Sequence, residues 1–69
     1  MPKTQLQLAN HAWRKATSDW PMSRKQHRDF CRSNAKVTVD SMAYMGEPPF
    51  EDHHEAYEAV LEELSEWHD

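Results

Sequence analysis

Four groups of residues in this 69-residue chain have types and spacings that could do chemistry. The first is Glu51 with His53-His54-Glu55-Ala56-Tyr57-Glu58, where Glu51 to His54 makes an E-x-x-H step and His54-Glu55 begins a near-match to H-E-x-x-H. A shared zinc needs a second histidine one helical turn on, and that position is Glu58. A carboxylate-bridged metal pair needs a second E-x-x-H, and the chain has none. The expectation is therefore surface His and Glu at a helix start, with no metal. The second group is His27 and Cys31, four apart on one side of a helix, the spacing at which an imidazole can lower a thiol pKa. A nucleophile also needs an oxyanion site and a substrate cleft, for which a chain of this size with one loop has little room. Cys31 reads as a small core or interface residue, and the chain as a non-enzyme without catalytic residues or cofactor.

The other two groups are rows of charge. Arg24, Lys25, Arg28, Arg32 and Lys36 fall within about 120° of one another on a helical wheel, a row that suits phosphate contacts. Glu51, Glu55, Glu58, Glu62, Glu66 and Asp69 fall within about 80° on another, with no Lys between them. Carboxylates one turn apart are about 5.4 Å from each other, close to the spacing of phosphates along a nucleic-acid strand, so this row suits a cationic groove on a partner. The simplest alternative is a solvated face that keeps the protein soluble. The rows sit in halves of opposite sign. Residues 1–36 hold all eight Lys and Arg against two carboxylates, and residues 37–69 hold ten carboxylates and no Lys or Arg, for an overall −4. Such a chain pairs with itself, within a monomer or across a dimer, or offers two faces to different partners.

Three helices must position these groups. Thr4 and Gln7 form a capping box, as do Ser23 and Gln26, and Asp52 with Glu55 can cap a third start. Trp20-Pro21 stops the first helix and Gly46 with Pro48-Pro49 stops the second, which predicts helices over about 4–18, 23–45 and 52–67. Residues 36–40 carry three β-branched side chains, but no second strand-like segment exists for them to pair with, so helix is preferred. The fold class is all-α, one compact three-helix domain over 1–69, with helix 2 at its centre. The predicted core is Leu6, Trp13, Trp20, Phe30, Val37, Tyr44, Tyr57, Val60, Leu61, Leu64 and Trp67. Leu8, Met22, Met45 and Phe50 are left as exposed apolar residues. Helix, corner and helix around Trp20-Pro21-Met22 resemble the layout of a helix-turn-helix, without its turn glycine.

A domain this small buries only about 60% of its unfolded surface and gains from a disulfide, a metal or a partner. One cysteine excludes an internal disulfide. With no signal-peptide pattern and no apolar run near the roughly 20 residues of a membrane span, the expectation is a cytoplasmic protein with no membrane association. The function expected is a small regulator or inhibitor that binds another protein through the acidic face. The alternative is a nucleic-acid binder using the basic face of helix 2. A homodimer is expected from the small core and the bipolar charge.

Overall fold

Side-chain caps set where the helices begin. The computed structural model describes residues 4–67, with α1 over Gln5–Ala16, α2 over Arg24–Met45 and α3 over His53–Glu66, and no strand among them. Thr4 and Ser23 each accept from the backbone amide three residues on, while the Gln7 and Gln26 side chains accept from the Thr4 and Ser23 amides, giving two complete capping boxes. Asp52 caps α3 by accepting from the Glu55 amide. Gly46 ends α2 at φ 71°, in the left-handed region that a side chain would strain. Residues 36–40 are helical throughout.

The centre of the molecule is α1. It packs on both α2 and α3, whose own backbones come nowhere within 8 Å Cα to Cα among the described residues. This corrects the expectation that helix 2 is central, and it moves the core. With neighbours on two sides, α1 buries a wide arc of Leu8, Ala9, Ala12, Trp13 and the following Thr17, so Leu8 is 6% exposed rather than a free contact. With one backbone neighbour, α2 buries only a narrow stripe of Cys31, Ala35 and Thr38, flanked by Val39 and Met42. Val37 (58% exposed) and Tyr44 (93%) lie roughly 130–150° away on the helix and face outward, and Phe30 is only half-buried. On α3 the expected face holds at Ala56, Tyr57, Val60 and Leu64, with Leu61 on its exposed margin. Leu6 and Trp67 are also more exposed than a core position. Phe50, in the loop before α3, is buried because Gln5 clamps its backbone: the Phe50 amide donates to Gln5 Oε1 at 2.7 Å and Gln5 Nε2 donates to the Phe50 carbonyl at 2.9 Å.

Trp13 is the largest fully buried side chain, and its polar edge joins all three helices. Indole Nε1 donates to Thr38 Oγ1 at 3.0 Å, and the Thr38 hydroxyl donates onward to Glu63 Oε2 at 3.2 Å. Around the ring, Phe30 stands edge-on at 5.9 Å and Trp67 tilts over it at 5.5 Å, with Trp20 touching both Phe30 and Trp67. Thr38→Val keeps the shape and removes the acceptor, so a buried N–H loses its partner at about 1–3 kcal/mol. Chemical denaturation should show that loss with helix content retained, while Thr38→Ser, which keeps the hydroxyl, should cost less; equal stability of the valine variant and wild type would show that the relay does not hold the helices.

Candidate functional site

All five members of the basic row, Arg24, Lys25, Arg28, Arg32 and Lys36, are exposed on α2. So are Glu51, Glu55, Glu58, Glu62 and Glu66 on and just before α3; Asp69, with His68, lies outside the described residues. Among the described residues no Lys or Arg comes within 4 Å of a carboxylate oxygen. The one close pair is His54 Nε2 with Glu58 Oε1 at 3.8 Å, exposed and ionic only when His54 is protonated. The rows therefore do not neutralise each other directly within one chain, and what separates them is the position of α1 between α2 and α3. Part of the acidic row is structural: Glu55 donates its amide to the Asp52 cap and accepts from the Glu51 amide at 3.3 Å.

Because α2 and α3 diverge, an open groove of about 310 Å³ lies between the C-terminal half of α2 and α3. Met42, Met45, Phe50 and Ala59 give it apolar surface, and Glu47, Glu62, Glu63 and Glu66 give it charge. The acidic row thus borders apolar surface along its C-terminal part. Sequence reasoning placed Glu62 and Glu66 in the row but missed Glu47 and Glu63, which reach the same groove from the loop and from the inner side of α3. On the far side of α1, Arg14 and Lys15 come beside Arg24, His27 and Arg28 in two adjoining concavities. Arg14 and Lys15 were not singled out in the sequence because they belong to a different helix from the basic row. Lys15 Nζ also sits 4.6 Å from the Tyr57 ring centroid, which ties it to α3.

His27, His53 and Cys31 are drawn into packing. His53 turns away from His54: its ring lies 4.3 Å from that of His11, and its Nδ1 is buried without a hydrogen-bond partner. Among the described residues no three His, Cys, Asp or Glu side chains converge to hold a metal. His27 bonds not to Cys31 but to Thr17, Nε2 to Oγ1 at 2.8 Å. The Thr17 hydroxyl already donates to the Trp13 carbonyl at 2.7 Å, so it accepts from His27 Nε2–H, which fixes the ring tautomer. Cys31 is fully buried, with Sγ 3.7 Å from Thr17 Oγ1. Burial pushes its thiol above the ordinary value, against smaller opposite pulls from the Thr17 hydroxyl and the Arg14 charge. The pair is not an activated thiolate. No helix among the described residues is long and apolar enough to cross a membrane. In comparisons with known proteins, no family model, no curated protein and no solved structure matches the chain.

The raised thiol has a stability signature. Folding holds the Cys31 proton more tightly than the unfolded chain does, so its contribution is complete below the ordinary thiol value and is lost as pH rises from about 9.0 toward the higher folded value. The stability difference between wild type and Cys31→Ala should shrink over that alkaline range, by up to about 1.4 kcal/mol per pH unit. Denaturation midpoints of both proteins at each pH check it, and a constant difference would show that the thiol titrates equally in both states.

Proposed function

We propose that the protein is a small non-enzymatic regulator that acts by binding another protein through the acidic face of α3 and the groove beside it. The observation that carries this reading is the union of charge and apolar surface at that groove. A face that served solubility alone would run from carboxylates into more polar surface; here Glu62 and Glu66 border Met42, Met45 and Phe50. Methionine side chains adapt to the shape of an incoming apolar residue, and carboxylates around them select a cationic one, so the matching surface is a basic segment with apolar side chains.

Charge placement supports a partner, since mixed Glu and Lys would have added favourable pairs four residues apart.

Glu58→Gln with Glu62→Gln tests the reading. A partner captured on the immobilised protein from nuclease-treated lysate, then purified and titrated, should bind the double variant more weakly and associate with it more slowly, most visibly at low salt. The melting temperature should hold or rise slightly, because neither carboxylate contacts a Lys or Arg among the described residues. Equal affinity and equal association rate at both low and high salt would return the row to a wet face.

A further inference from the structure

We infer that the trough between α1 and the start of α2 is a second binding site, one that takes the phosphate backbone of a nucleic acid. Two concavities, of about 750 and 410 Å³, meet there and share Arg14 and His27. Their cations come from two helices: Arg14 and Lys15 from the last turn of α1, Arg24 and Arg28 from the first turns of α2. Among the described residues no carboxylate lines either concavity, and none lies within 4 Å of these four side chains.

Several features select a phosphate strand over other anions. The cations are strung along a trough that continues past Arg14 and His27, whereas a single phosphate calls for donors converging on one point. Three of the four are arginines, whose planar fork matches a phosphate bidentately. Arg24 and Arg28 lie in the first two turns of α2, whose first turn has no acidic residue, so the positive end of that helix's dipole adds to the field of these two. Neutral side chains, Gln7, Asn10 and Ser18, complete the lining, and their amide N–H and hydroxyl groups can donate to phosphate oxygens. The overall −4 does not oppose this, because every carboxylate beyond Asp19 and Asp29 lies after residue 37. The site differs from the α2 row read from sequence: Arg32 and Lys36 lie outside it, and Arg14 and Lys15 belong to it. Contacts of this kind fix position on a backbone without reading its sequence.

Fluorescence anisotropy of the intact chain with labelled duplex DNA tests the site, over salt from about 50 to about 200 mM. Binding should weaken steeply with salt. Arg14→Gln with Arg28→Gln should weaken it about tenfold or more at the low end and, with two phosphate contacts gone, flatten the log–log slope by about 1.8. Arg32→Gln with Lys36→Gln should change it much less. All four side chains are exposed, so circular dichroism should give each double variant the wild-type helix content. Absence of binding at the lowest salt, or undiminished binding by the Arg14/Arg28 variant, overturns the inference. So does loss confined to the Arg32/Lys36 variant, or displacement of the DNA by pyrophosphate at equal phosphate concentration, which marks a small-anion site. A light-scattering mass above 8.2 kDa without nucleic acid, abolished by Arg14→Gln with Arg28→Gln, would instead give the trough to the acidic helix of a second copy.

Discussion

One hydrogen bond, from the Trp13 indole to the Thr38 hydroxyl, is the constraint on which the rest of the structure depends. The core is small and three of its members are alanines from α1 and α2, Ala9, Ala12 and Ala35, so Trp13 supplies the largest share of its apolar area. An indole can be buried to that degree only if its N–H finds an acceptor. Thr38 provides it and hands its own proton to Glu63, so satisfying one donor draws a residue from each helix to the same point. The relay holds α2 and α3 in reach of each other at side-chain length and no closer. Backbone-to-backbone packing would have closed the space between Met42, Met45 and Ala59; side-chain bridging leaves it open.

The charges are placed at a disadvantage to the fold. Cations favour the C-terminus of a helix and carboxylates the N-terminus, each by about 0.3–1 kcal/mol. The arrangement in α2 is the reverse, with Arg24 and Lys25 in the first turn and no basic residue in the last. In α3, Glu63 and Glu66 sit in the last turn, also with no basic residue to offset them. The end of α1, on Arg14 and Lys15, follows the rule, as does the start of α3, with Asp52 as its cap and Glu55 in its first turn. Salt bridges between the helices do not compensate, since no Lys or Arg reaches a carboxylate among the described residues. A sequence that gives up helix stability twice in the same direction keeps two fields of opposite sign intact at the surface.

What was legible in the sequence was local. Caps and stops depend on residues within four positions of each other, and the helix bounds they predict match the structure to within two residues. Which face of a helix is buried depends on how many neighbours it has, and periodicity does not carry that. The line Phe30, Val37, Tyr44 is a regular seven-residue repeat of large apolar side chains, yet the face taken inside is the smaller Cys31, Ala35, Thr38, because α1 brings its tryptophan and alanines to that side. Leu8 and Phe50 were missed for the converse reason. Leu8 is buried by the second neighbour of α1, and Phe50 by the Gln5 clamp from 45 residues away. The charged rows were legible as rows, but the concavities they border combine residues from different helices.

The central position of α1 explains why those concavities differ so sharply. Its two flanks meet different halves of a chain whose sign changes at residue 36, so the trough on the α2 start collects cations and the groove beyond α2's midpoint collects carboxylates. The longest helix takes part in both. Arg28 lines the first and Thr38 the second, ten residues and about 15 Å apart along one helix, which a rigid rod of 22 residues accommodates without bending. A basic segment seated against Met42 and Met45 would therefore leave Arg14, Arg24 and Arg28 uncovered, and its positive charge would lie at the far end of α2 from them. Opposite fields thus stand at the two ends of one short rod, with α2 setting the distance between them.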